Sequence, residues 1–134
     1  MILGFNKRFP DKILSGEKIH TIREDKHNRW EIGRWIHFAT GVRTPEYKCF
    51  KQDICDGTQK IEIKYNLPWS DFPSVYIDGH LFSYFIERDW EVLYELARND
   101  GFKDFKEFCG WFNKDYSGKI IHWTSKRYVP KKLF

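Results

Sequence analysis

The stretch Phe9-Pro-Asp-Lys-Ile-Leu-Ser-Gly-Glu-Lys-Ile-His-Thr-Ile-Arg-Glu24 decides how the chain is to be read. Pro10 fits an early helical position, Phe9 and Ile13 stand four residues apart, and Gly16 suits a left-handed stop, so a helix of one or two turns is predicted from Phe9 to Leu14. The chain then turns through Glu17 and Lys18 into an extended segment, His20 to Glu24. A period of two puts Thr21 and Arg23 on one face and His20 and Ile22 on the other. Lys18, Thr21 and Arg23 lie on a tight turn and the strand it feeds, so an ammonium, a hydroxyl and a guanidinium can converge. Such a set suits a phosphate or a carbonyl: Arg offers a planar fork, Lys a mobile point charge, Thr a hydroxyl that both donates and accepts.

Outward from this stretch, strands prevail. Ile2 to Asn6 reads as a first strand, and Trp30, Ile32 and Gly33 as a turn feeding a buried strand from Trp35 to Ala39, ended by Gly41. Two more strands, Tyr47 to Gln52 and Gln59 to Tyr65, flank Asp56-Gly57, a hairpin-type signal. Beyond the Pro-punctuated Leu67 to Pro73, a second hairpin is expected from Ser74 to Ile77 and Leu81 to Tyr84 around Asp78-Gly79. Helical spacing then takes over. Ile86, Trp90, Leu93, Tyr94 and Ala97 form one apolar stripe, stopped at Asp100-Gly101. Phe105, Phe108, Cys109 and Phe112 form another, opened by Asp104 and Glu107 as an acidic variant of the capping box. A last strand, Lys119 to Thr124, precedes the basic residues Lys126, Arg127, Lys131 and Lys132. The class is α+β, read as a small β-barrel with a short N-terminal helix and a late helical pair packed against it.

Bulk properties narrow the function classes. With 134 residues one domain, 1–134, is expected. Charged residues at 31% and hydrophobic ones at 41% exclude a disordered or low-complexity chain. Aromatic residues reach 19%, ample for a core with some surface left for a ligand. The longest apolar run, Leu81 to Ile86, contains Ser83 and Tyr84 and falls far short of the roughly 18 residues of a membrane span. The basic residues Lys7 and Arg8 follow the apolar start instead of preceding it, the reverse of a secretory signal. Cys49, Cys55 and Cys109 are odd in number with no CxxC pair, which points to a reducing cytoplasm and away from a disulfide framework. A net charge of +4 permits an anionic partner such as RNA without demanding one. His20, His27, His37, His80 and His122 show no ligand spacing, so neither a metal nor another cofactor is expected. Among the aromatic residues, Trp30 and Trp69 flank loops and are the favoured candidates for stacking on a base, at roughly 1–3 kcal/mol per stacked base.

The string Gly16, Lys18, Thr21 and Arg23 after a short helix resembles the hallmark of the ASCH domain, a member of the PUA-like β-barrel superfamily. Trp30-Glu-Ile-Gly33 before the Trp35 strand fits the same pattern, with Arg34 standing where the family often has Asp. Leu96 to Phe102, followed by the Phe105 to Phe112 helix, resembles the family's junction between its late elements. The resemblance implies a PUA-like barrel with a cleft for RNA or a modified nucleoside; the ligand-binding candidates are Gly16, Lys18, Thr21 and Arg23 of the motif, joined by Trp30 and Trp69 from their place beside loops. One bacterial branch that the chain resembles consists of amidohydrolases that deacylate N4-acetylcytidine with a Lys, a Thr and a Glu. Lys18 and Thr21 match the first two, and Asp100, one methylene shorter, falls at the third. Three expectations follow: a nucleoside or RNA-binding module, an amidohydrolase using Lys18, Thr21 and Asp100, or a protein-interaction domain on the same scaffold.

Amide hydrolysis needs an oxygen nucleophile, an oxyanion stabiliser and a proton donor for the leaving amine. Thr21 is placed to be the nucleophile or to position water. An ordinary Lys has a pKa of about 10.4, so Lys18 works as a base near neutrality only if desolvation or a neighbouring cation lowers it. Arg23 pushes that way and Asp100 against it. A charged Lys18 instead serves the oxyanion while Asp100 moves the proton. At Asp100 an ordinary helix-ending Asp-Gly turn is the competing reading.

Overall fold

Short runs rich in β-branched and aromatic residues become strands because those side chains pack well on a pleated, half-buried surface. The computed structural model describes residues 1–84 and 90–129. Among these residues, eight strands form two sheets and three helices lie beside them, an α+β arrangement. The first sheet has the order β1-β3-β4: β1 (Ile2–Gly4) runs parallel to β3 (Trp35–Thr40), which is antiparallel to β4 (Lys48–Ile54). The second has the order β2-β8-β5-β6-β7, from β2 (His20–Arg23), β5 (Gly57–Lys64), β6 (Ser74–Ile77), β7 (His80–Tyr84) and β8 (Tyr116–His122), all antiparallel.

The Asp78-Gly79 turn behaves as its sequence predicts. Both residues have positive φ, 51° and 82°, and β6 and β7 pair directly with Ile77 opposite His80. The Asp56-Gly57 signal does not make a hairpin. β4 pairs with β3 and β5 with β8 and β6, so the chain crosses from one sheet to the other at this point. The Asp56 amide donates to the His122 carbonyl (2.8 Å), and Gly57 already stands in register with His122. Long-range pairing with β8 outweighs the local turn preference. β8 also begins three residues before Lys119, because it pairs along both edges: Arg23 faces Lys119 on one side and Ile63 faces Tyr116 on the other.

Aromatic rings fill the space between the sheets. Phe5 stacks on Phe38 of β3 (centroids 5.8 Å), and Trp123, just past β8, meets Phe38 edge-on at 4.8 Å. Burying each such side chain contributes roughly 1.5–3 kcal/mol. The helix α1 spans Pro10–Leu14, α2 spans Trp90–Asn99 and α3 spans Phe105–Trp111. α2 buries Leu93, Leu96 and Ala97; α3 buries Phe105 and Phe108. Asp104 caps α3 by accepting from the Glu107 amide (2.9 Å). Glu107 turns to the Lys103 amide (3.2 Å) and to Arg8 instead of closing the box. Ile86, Lys131 and Lys132 lie outside the described residues. No helix among the described residues is long and apolar enough to cross a membrane.

Gly118 sets how closely β2 approaches β8. A Cβ there would stand 2.6 Å from the Arg23 carbonyl oxygen, a backbone atom with nowhere to go. Gly118→Ala is expected to destabilise the protein by about 1–3 kcal/mol through overpacking, read as a lowered urea midpoint. A loss below about 0.5 kcal/mol, the range of neutral surface changes, would show that β2 is free to shift.

Candidate functional site

The segment that follows α1 and the C-terminal end of α2 are brought together at the site. After α1, Gly16 takes a left-handed conformation (φ 83°), and the Lys18 amide donates back to the Lys12 carbonyl (2.9 Å). The next residue, Ile19, donates to the Asn99 carbonyl at the end of α2 (2.9 Å). α2 itself ends in a Schellman turn: Gly101 N–H donates to Arg98 O (3.0 Å) and Phe102 N–H to Ala97 O (2.9 Å). Gly101 is required there twice over. Its φ is 93°, and a Cβ would meet Lys18 Cδ at 2.9 Å and the Phe9 ring at 3.0 Å.

The result is a buried ion pair. Lys18 and Asp100 are each 2% exposed. The ammonium donates to the Asp100 backbone oxygen (2.5 Å) and to its Oδ1 (3.2 Å), so Asp100 offers both a carboxylate and a helix-terminal carbonyl. Burial pulls the Lys18 pKa from 10.5 down to about 8, against the attraction of Asp100 and helped by the charges of Arg23 and Lys12. The two pulls expected from the sequence are both present, but desolvation is the stronger cause.

Behind the pair runs a chain of hydrogen bonds with one direction. His20 Nδ1 lies 3.1 Å from Asp100 Oδ1, and His20 Nε2 lies 2.5 Å from the Tyr128 hydroxyl. A carboxylate only accepts, so Nδ1 carries the hydrogen and Nε2 accepts from Tyr128. Tyr128 in turn accepts from Asn99 Nδ2 (3.0 Å). Burial lowers the His20 pKa, which keeps the ring in this neutral form. Tyr128 is fixed at its backbone by Gln59, which donates to the Tyr128 carbonyl (2.8 Å) and accepts from its amide (2.9 Å).

Lys18, Thr21, Arg23 and Asp100 line one cleft of about 910 Å³ between the β1–α1 loop, β2, the end of α3 and the start of β8. Thr21 and Arg23 share a face, as the period of two predicts: Arg23 Nε donates to Thr21 Oγ1 (3.2 Å) and Nη2 to the Gly4 carbonyl (2.6 Å). Three residues expected at the ligand do not line the cleft. Gly16 is the exposed helix stop. Trp30 is a core residue, drawn inward because Asp25 accepts from the Arg29 and Trp30 amides (2.8 and 2.9 Å). Trp69 is exposed on the β5–β6 connection, away from the cleft. Of the basic residues near the C-terminus, the two described ones are engaged: Lys126 pairs with Glu95 (2.7 Å) and Arg127 with Asp56 (2.5 Å).

Sequence reasoning weighed His20 only as a metal ligand and passed over Asn99, Tyr128 and Trp111, the last a lining residue. A signal existed for His20, since Lys18 and His20 are two apart and an extended chain turns both to one side. Among the described residues no group of three or more His, Cys, Asp or Glu is placed to hold a metal. Comparison with protein-family models, curated proteins and solved structures found no match.

The lowered Lys18 pKa has a measurable consequence. Between about pH 8 and 10.5 an unfolded Lys18 holds a proton that the folded one has lost, so stability rises with pH across that window. Wild type is expected to gain about 2–3 kcal/mol over Lys18→Met on that climb, and NMR titration of the Lys18 side chain should give a pKa near 8. Asp100→Asn removes the attraction that holds the proton and should lower the value further. A titration at the ordinary 10.5 would overturn the description of the pair.

Proposed function

We propose that this chain is an ASCH-type domain with a PUA-like barrel architecture, working in the cytoplasm, whose cleft binds a modified nucleoside, free or within RNA. The observation that carries this reading is the convergence of Lys18, Thr21 and Arg23 on one wall of a cleft large enough for a nucleoside. Arg23 has its Nε on Thr21 and Nη2 on Gly4 O, which holds the guanidinium plane in place, and no carboxylate lies within ion-pair distance among the described residues. It is thus preorganised for an acceptor such as a carbonyl or phosphate oxygen. Thr21 supplies a hydroxyl beside it.

A second reading, hydrolysis of an N4-acylated cytidine, is favoured by the Lys18–Asp100 pair. With a pKa near 8, Lys18 is neutral in an appreciable fraction of molecules at physiological pH. In this reading the neutral amine takes a proton from water or from the Thr21 hydroxyl as that oxygen adds to the acyl carbon. The C–N4 bond then breaks, the proton passes to the departing N4, and the products are cytidine and the carboxylic acid. If Thr21 is the nucleophile, water releases the acyl group in a second step.

One experiment separates the two. N4-acetylcytidine is titrated into the protein by calorimetry, and cytidine release is followed by chromatography in the same samples. Binding is expected, with Arg23→Ala weakening it about tenfold or more, the loss of a charge-assisted hydrogen bond. Release that vanishes in Lys18→Ala and Thr21→Ala, with unchanged circular dichroism, selects the hydrolase. Binding without release selects the recognition module. Absence of both binding and release of this nucleoside, together with no binding of an RNA that carries it, would overturn the proposal.

A further inference from the structure

We propose that Trp111 is the platform on which the ligand's planar ring stacks, so that the cleft selects a conjugated heterocycle and not merely a polar group. The inference rests on the nucleoside reading above and assigns it a specificity residue.

Aromatic rings line the cleft in number, but their faces are already taken. Phe5 lies under the Arg23 guanidinium, 4.9 Å from its centroid, and Phe9 under the Lys18 ammonium, also at 4.9 Å. Phe102 is 2% exposed and carries Arg8 at 5.6 Å. Phe112 is buried, and Tyr116 is half-buried against it, centroids 5.0 Å apart. Trp111 alone among the described cleft aromatics is an exposed ring, at 51%, and no cation covers it.

Exposure of so large an apolar ring at a cleft wall needs a reason, because α3 has a buried side to offer it. Phe105 and Phe108 occupy that side, and Trp111, the last residue of α3, sits at the cleft. The indole is also held. It meets Phe9 edge-on (5.9 Å, 75°) and Phe102 at a tilt (5.6 Å, 55°), so little rotamer freedom is left for a ligand to freeze. Phe9 contacts both the indole and the Lys18 ammonium. A heterocyclic base stacked on Trp111 occupies the same cleft as Lys18, Thr21 and Arg23, while a ligand without a flat face gains nothing from the indole.

The test uses calorimetry with N4-acetylcytidine and with its 5,6-dihydro analogue, whose ring is puckered. Trp111→Leu keeps apolar bulk against Phe9 and Phe102, and thermal unfolding confirms that it folds. Trp111→Phe keeps a flat face. The expected result is that Trp111→Leu weakens N4-acetylcytidine binding about 5- to 150-fold, that Trp111→Phe restores most of it, and that wild type discriminates against the dihydro compound while Trp111→Leu does not. Wild-type binding that Arg23→Ala weakens and Trp111→Leu leaves unchanged would overturn the platform and leave the nucleoside reading standing. Absence of any binding to wild type would overturn both.

Discussion

The Lys18–Asp100 pair is the constraint to which the site is built. Two charges removed from water cost several kcal/mol each, and attraction offsets that only when the geometry is fixed and the remaining polar atoms are satisfied. Each part of the surrounding fold meets one of these conditions. The Schellman turn of α2 presents the Asp100 backbone oxygen alongside its carboxylate, and Gly101 lets the Lys18 stem pass at a distance no side chain would permit. The Ile19–Asn99 hydrogen bond locks the two backbones in register one residue away from the pair. Phe5 and Phe9 lie under the ammonium and keep water from its flanks.

From the pair, the order of the site spreads to both sheets. β2 delivers Lys18 at its entry and Thr21 and Arg23 along its length, and Arg23 reaches across to the Gly4 carbonyl of the other sheet. That bond ties β1 to β2, strands that belong to different sheets and share no ladder. The cleft therefore opens at the seam between sheets, where backbone pairing is interrupted and side chains have room to converge.

Local signals predicted local features well. The Asp78-Gly79 hairpin, the Asp104 cap and the Gly16 stop each rest on a few adjacent residues, and each stands where the sequence puts it. The features that were not legible depend on partners far along the chain. Asp56-Gly57 has hairpin chemistry, yet β8, some sixty positions downstream, claims β5 and leaves β4 to β3. Trp30 flanks a loop, as read, but Asp25 folds that loop so that the indole enters the core. The meeting of Lys18 with Asp100 was not legible in the residue pattern, because no periodicity links a strand entry to the end of a distant helix; the family resemblance only named the two as candidates. Burial of a lysine is likewise invisible in a pattern that treats charge as a surface property.

The hydrogen-bond chain behind the pair shows why a C-terminal segment belongs to an N-terminal site. Asn99 donates to Tyr128, Tyr128 to His20, and His20 to Asp100, so every hydrogen is committed in one direction and ends on the atom that also receives Lys18. Protonating His20 would place a second hydrogen against the Tyr128 hydroxyl, force that hydroxyl to accept from two donors, and add a third charge to a buried pair. Desolvation, helped by the Lys18 charge, disfavours that state against the pull of Asp100, and the His20 pKa is lowered. With His20 neutral, Asp100 faces one full cation and one dipole, an imbalance that fixes the carboxylate without releasing Lys18 from its own desolvation. Tyr128 is thereby part of the site's electrostatics although it does not line the cleft, and Gln59, which holds its backbone at both ends, extends that dependence into the centre of the larger sheet.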